Sequence, residues 1–459
     1  MPTFAADKMA AWTGGRWPRI PGGALAGFTQ DTRHLGAGQV FVAVRTDKRD
    51  GHDYLNEALK RGAGAALVGR EVGDTNLPQL VVDDPLAAFQ RIAREHRREF
   101  HGTVVGVTGS VGKTSTKDLL GLLLGGPDTV LATEGNLNNH LGVPLTLTRL
   151  EPAVHRAAVI EAGISGPGEM APLAEMIEPD HSVVTLVGPA HLEKLGSLEG
   201  VALEKSRLPA ANRPGGLAVF PAACWTFGSF RALANPLLLV PDNESLAKGP
   251  ARSVRFNVFQ RPDRTEVTFE GRRRFSLRRV SSGMAQNAAL GLALASELGV
   301  GDAILQGRLA DWQPSKWRGE LQQAGETTVY RDFYNANPAS MPDAIDAFNG
   351  SVSAELPRIY VLGCMEELGA GSAEYHRLLG RGLHLRRGDC LFIIGDQAAA
   401  LRAGLLENGN DPAQVAVITD LAPVRERLAG FKGAVFLKGS RRYHLEAVLE
   451  PPVAAPAAH

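Results

Sequence analysis

Cysteine is scarce in this 459-residue chain: Cys224, Cys364 and Cys390 lie far apart and form no C-x-x-C pair. The sequence therefore supplies neither a disulfide framework nor a thiolate zinc site. An excess charge of one sign is missing too. Lys plus Arg (49) balances Asp plus Glu (49), so no net field draws the chain to nucleic acid or an anionic membrane, and any bound anion must be held by local groups. No run approaches the roughly 18 apolar residues of a membrane-spanning helix. Residues 1–17 carry polar and glycine residues where a signal peptide has its apolar centre. These absences lead us to expect a cytoplasmic protein with no nucleic-acid partner and no membrane insertion.

What is present is an ordinary globular mixture, 44% hydrophobic and 21% charged, at a length that predicts about three domains. Short apolar strands at 40–44, 65–68 and 80–82, with a helical pattern at 54–61, make a small α/β unit. An Arg-rich amphipathic helix at 85–100 leads to Gly102 and a fresh strand, which sets a boundary near residue 100. A repeated theme follows, in which a buried strand ends at a polar or Gly-rich turn and a helix begins: 104–107 into Thr108-Gly109-Ser110, 158–160 into Glu161, and 183–187 into Gly188-Pro189-Ala190-His191. Open parallel sheets bind ligands beyond the carboxyl ends of their strands, so these three ends can share one site. A helix at 285–298 closes the segment. Strands at 327–330, 359–362, 391–394 and 434–437 make a further α/β unit, and the Pro/Ala tail at 451–459 has nothing to bury and is expected to be disordered. The fold class is α/β, with expected domains 1–100, 101–311 and 312–459.

The strongest chemical signal is Thr108-Gly109-Ser110-Val111-Gly112-Lys113-Thr114-Ser115, between a buried strand and a helix. Glycines let backbone N–H groups close around phosphate oxygens, the helix N-terminus adds partial positive charge, a lysine neutralises β/γ-phosphate charge and a threonine can ligate Mg²⁺. The spacing departs from the common phosphate loop, which would place glycine where Val107 stands. Glu161, ending its strand, suits a Mg²⁺ carboxylate beside such a loop, whereas alone it would be a solvated cap. Asn136, Asn138 and Asn139 in the tract 133–140, and Asn335 and Asn337 after a strand in 332–338, offer amides to a polar substrate or simply form Asx-turns. Spacing alone singles out neither His191 nor Lys205.

Together these segments resemble the Mur ligases, ATP-dependent enzymes that build the peptide of the bacterial cell-wall precursor. The variant loop has that family's T-G-x-x-G-K-T form, and Gly135-Asn136-Leu137-Asn138-Asn139 matches its G-N-x-N-N. Pro189-Ala190-His191-Leu192-Glu193 up to Lys205, Asp332-x-Tyr334-Asn335-Ala336-Asn337-Pro338, and Lys438-Gly439-Ser440-Arg441 resemble the branch that adds D-alanyl-D-alanine to UDP-N-acetylmuramoyl-tripeptide. The resemblance implies an N-terminal uridine-nucleotide domain reached through Asp31-Thr32-Arg33, a central ATP-binding domain and a Rossmann-like C-terminal domain that brings the amine and closes on ATP. It implies ATP held by Gly109, Ser110, Gly112, Lys113, Thr114, Ser115, Asn287, Arg318 and Asp332. It further implies two Mg²⁺ ions held by Thr114, Glu161, His191 and a carbamylated Lys205, because an ammonium repels a divalent cation whereas a carbamate supplies anionic oxygen. Lys113, Glu161, His191 and Lys205 are the implied catalytic set. Asn138, Asn139, Asn335, Asn337, Lys438 and Arg441 are the implied substrate contacts, and a monomer is expected. The chain departs from the family pattern in having Gly283-Met284 where His-Asn is usual, Cys364 for an Asp, and Arg331-Asp332-Phe333 for Asp-Asp-Ser. The competing expectations are a Mur-type ligase adding a single amino acid, or a phosphate-loop phosphotransferase or NTPase, which has no use for His191, Lys205 or the Asp332 segment. A catalytically silent scaffold is disfavoured by the intact Lys113, Thr114, Glu161 and His191.

Overall fold

A computed structural model describes residues 2–245 and 252–449; the expectation of a disordered tail at 451–459 falls outside them. Among the described residues the strands form three sheets of four, nine and six strands, each drawn from a continuous stretch of chain. In the first, Phe28–Thr29, Val40–Val42, Ala65–Val68 and Gln79–Val81 pair in sequence order, all parallel. The helix Pro85–Arg98 covers one face of it. Asp84 caps this helix by accepting from the Leu86 and Ala87 amides, proline sits in its first turn, and Ala88, Phe89, Ile92 and Ala93 form the buried stripe. From its far end Arg97, fully buried, donates to the carbonyls of Ile177 and Glu178 and to Asp180 at 3.0 Å, which ties the first unit to the second.

The large sheet runs Val130–Ala132, Ala157–Glu161, Thr103–Thr108, His181–Val184, Ala218–Pro221, Pro236–Pro241 and Ser253–Gln260 in parallel. It ends in an antiparallel meander through Arg264–Phe269 and Arg273–Arg278. The strand Thr103–Thr108 lies between the strands ending at Glu161 and at Val184. The three strand ends read from the sequence are thus immediate neighbours. The third of them, His181–Val184, stops earlier than 187: after the Thr185 amide donates to the Thr108 carbonyl, Leu186 gives its carbonyl to the Ser110 amide of the loop and Gly188 bonds the Ser110 hydroxyl. The sequence reading also passed over the meander. Its inner residues Phe256, Val267, Phe269, Phe275 and Leu277 join the main core, while arginines occupy its outer face.

In the third sheet Glu320–Ala324 pairs antiparallel with Thr327–Asp332. The parallel strands Gly433–Lys438, Arg358–Gly363, Cys390–Ile394 and Val415–Ile418 follow. Helices lie on both faces, and the apolar strand residues divide between two cores. The expected α/β class with parallel sheets is what the chain adopts. No helix among the described residues is long and apolar enough to cross a membrane.

Candidate active site

The phosphate loop owes its shape to two glycines. Gly109 has φ +147° and Gly112 φ +77°, and a Cβ on either would collide with a neighbour, Thr185 in the first case and Asn287 in the second. Only glycine combines that backbone with that closeness. The helix Lys113–Leu124 starts directly after Gly112, so its first-turn N–H groups and positive end face the loop. Thr185 holds the loop by donating its hydroxyl to the Val111 carbonyl. Spacing gave no hint of Thr185, since it acts through a single bond on an irregular segment.

Two lysines converge on one oxygen. Lys113 Nζ and Lys205 Nζ each donate to the Gly109 carbonyl at 3.0 Å. Lys205 is fully buried, on the helix Leu198–Ala210, and burial together with the charge of Lys113 pushes its pKa well below the ordinary lysine value. Lys113 is also lowered, by burial first, against the attraction of Glu161.

Glu161 is 1% exposed. Its Oε1 accepts from Asn138 Nδ2 at 2.7 Å and its backbone amide donates to Thr133 Oγ1, but Oε2 is buried without a hydrogen-bond partner. An anionic oxygen left unpaired in a buried place is costly unless a cation completes it. On the far wall Asp332, ending the strand Thr327–Asp332, accepts from Lys438 Nζ at 2.7 Å, and Lys438 also donates to the Asn335 carbonyl. Arg318 stacks its guanidinium over the Tyr334 ring at 3.9 Å. His191, at φ +54°, bonds the Glu367 carboxylate through Nδ1, which holds the carboxyl below the usual glutamate range.

One cavity of about 690 Å³ gathers most of these groups. The loop residues Ser110 and Gly112 to Ser115, with Glu161, His191 and Asn287, line one side, and Arg318, Asp332 and Lys438 line the other. Asn138, Asn139, Asn335 and Asn337 reach its wall too. Part of their polarity is spent locally: Asn139 Oδ1 accepts from the Leu141 and Gly142 amides, Asn335 Oδ1 from Ala336, and Asn337 Oδ1 from Ala339 and Ser340. Asn138 is the one whose side chain touches an expected metal ligand.

Three groups of expected site residues lie off this wall. Gly109 and Lys205 sit behind the loop. Asp31, Thr32 and Arg33 belong to the first unit, where Asp31 caps a short turn and pairs with Arg33, which lowers the Asp31 carboxyl to about 2, while Thr32 donates to Glu57. Arg441 bonds Glu446 and stacks over Trp317. The sequence reading missed Asp343, which reaches the same cavity from the helix Ser340–Ser351.

The domain described as Mur ligase middle domain matches residues 107–293, and that described as Mur ligase, glutamate ligase domain matches residues 317–441. The UDP-N-acetylmuramoyl-tripeptide–D-alanyl-D-alanine ligase of Escherichia coli is 31% identical over 433 residues, 93% of either chain. The chain belongs to the Mur ligase family. Among solved structures, MurF from Acinetobacter baumannii superposes on this Mur ligase with a TM-score of 0.85 at 26% identity, covering 98% of both chains. MurF from Thermotoga maritima in complex with ADP superposes with 0.77 at 27% identity, over 92% of this chain and 96% of that one. All the lining residues of the cavity but Trp312 and Pro314 lie in the segments that carry the family's two domain matches.

Proposed function

We propose that this Mur ligase forms an amide bond at the expense of ATP, adding D-alanyl-D-alanine to UDP-N-acetylmuramoyl-tripeptide in peptidoglycan precursor synthesis. The observation that carries the proposal is the shared cavity, in which a phosphate loop and an unpaired buried carboxylate face a charged wall from the third sheet. A phosphotransferase needs only the loop side. The acceptor's terminal carboxylate attacks the γ-phosphorus and ADP departs. The amine nitrogen then attacks the acyl phosphate carbon, phosphate leaves with the C–O bond electrons, and the new amide nitrogen sheds a proton. Lys113 and the loop amides offset phosphate charge as it shifts, the largest kind of contribution a protein makes to phosphoryl transfer.

The residues fit a divalent cation. Glu161 Oε2 lacks a partner, and Thr114, in the first turn of the helix Lys113–Leu124, lines the same cavity. These two would hold Mg²⁺, which neutralises phosphate oxygens when bound. A second ion fits His191, whose Nδ1 is already oriented by Glu367, leaving the other ring nitrogen as a ligand. Lys205 suits carbamylation because burial favours its neutral amine, the form that adds to carbon dioxide. We assign residues 1–100 to the uridine nucleotide through Asp31 to Arg33, 101–311 to ATP, and 312–459 to the amine through Asn335, Asn337, Lys438 and Arg441, in a cytoplasmic monomer. The test is phosphate release with each substrate omitted in turn: a ligase releases phosphate at an appreciable rate only when ATP, acceptor and amine are all present. Release with ATP alone favours an NTPase.

A further inference from the structure

The helix Ser282–Glu297 of the large sheet and the helix Ser340–Ser351 of the third meet through two reciprocal fits. At the first, Asp343 Oδ1 accepts from the Gly283 backbone amide at 2.9 Å, and its carboxylate also bonds Ser281. A Cβ at position 283 would stand 2.7 Å from Asp343 Oδ2, so the fit depends on glycine. At the second the roles are exchanged. The Arg279 guanidinium, anchored on the Arg261 carbonyl, fills the space a side chain at Gly350 would need. Positions 343 and 350 are seven apart and share one helix face. Gly283 and Asn287 are four apart and share another. Asn287 packs against Gly112 of the phosphate loop.

We propose that Asp343 is a positioning residue: by capping the helix Ser282–Glu297 at Gly283 it latches the third domain over the nucleotide and sets Asn287 against the phosphate loop. Burial pushes the Asp343 carboxyl above the usual aspartate range, and the hydrogen bonds from the Gly283 amide and Ser281 act against that shift, so the contact itself favours the charged cap. The inference rests on the ligase reading for its kinetic effect but not for its structural one.

The test compares the full chain with Asp343→Ala, Gly283→Ala and Asp343→Asn by small-angle scattering and steady-state kinetics. Asp343→Ala removes the acceptor, and Gly283→Ala displaces it while leaving the carboxylate present. Both should enlarge the radius of gyration of the free protein and raise KM for ATP and for D-alanyl-D-alanine about tenfold, the size of one lost charge-assisted hydrogen bond. The value of kcat at saturation should fall much less. Asp343→Asn keeps an oxygen for the Gly283 amide and should recover part of the KM loss. Unchanged scattering and unchanged KM in both alanine variants would overturn the latch. If the wild-type chain proves not to be a ligase, the scattering comparison still decides the latch alone. If Asp343→Ala fails to fold, Gly283→Ala, a single added methyl, carries the same two readouts.

Discussion

Lys113 and Lys205 share the Gly109 carbonyl, and two ammonium groups on one oxygen repel. Burial lowers both pKa values, Lys205 further because the charge of Lys113 adds to it, while Lys113 alone lines the cavity. Replacing Lys113 by Ala should lower kcat by about 10²-fold or more, the usual cost of removing one preorganised charge from a transition state, with the melting temperature little changed. Near-normal turnover would remove Lys113 from the chemistry. If Lys205 carries the proposed carbamate, Lys205→Ala should be equally damaging, and a short carboxylic acid in the buffer should restore part of the activity by supplying the missing oxygen ligand. An intact mass showing unmodified Lys205 in the active enzyme would contradict the carbamate. At Glu161, removing Asn138 by Asn138→Leu frees Oε1 as well as Oε2. The expected outcome is a shifted Mg²⁺ requirement, seen by titrating activity with the ion.

The phosphate loop and the polar tracts are the elements where sequence and structure can be compared most sharply. The loop was legible because its glycines, lysine and threonine must occupy fixed places between strand and helix, and the structure has them there. Gly112→Ala should cost about 1 kcal/mol or more from the positive φ alone and should also push Asn287 away, so nucleotide affinity by calorimetry should drop more than thermal stability does. The Asn tracts were ambiguous for a physical reason: a single amide can cap a turn with its oxygen and still present its nitrogen to a ligand, and Asn139, Asn335 and Asn337 all use the oxygen locally. The meander of 253–278 was overlooked because its inner positions alternate with arginines, which lowers the mean hydropathy that marks buried parallel strands. Thr185 and Asp343 carry no motif. Each acts through hydrogen bonds to residues far away in the chain, a distance that pattern cannot span.

On the scale of the whole molecule, the cavity exists only because two sheets face each other, the large one bringing the loop and Glu161, the third bringing Asp332, Lys438 and Arg318. A cavity walled from both sides can limit the access of water to an acyl phosphate that water would hydrolyse. Removing divalent cations with a chelator should therefore abolish phosphate release while leaving the scattering profile of the free protein unchanged, since Arg97, Asp343 and Glu367 connect the units without a metal. The central claim is the pairing of this acceptor with this amine. Purified protein, ATP and Mg²⁺ with UDP-N-acetylmuramoyl-tripeptide and D-alanyl-D-alanine should yield ADP, phosphate and a product whose mass is that of the tripeptide precursor plus the dipeptide less one water. Joining a single amino acid to UDP-muramoyl-dipeptide while ignoring D-alanyl-D-alanine would contradict it.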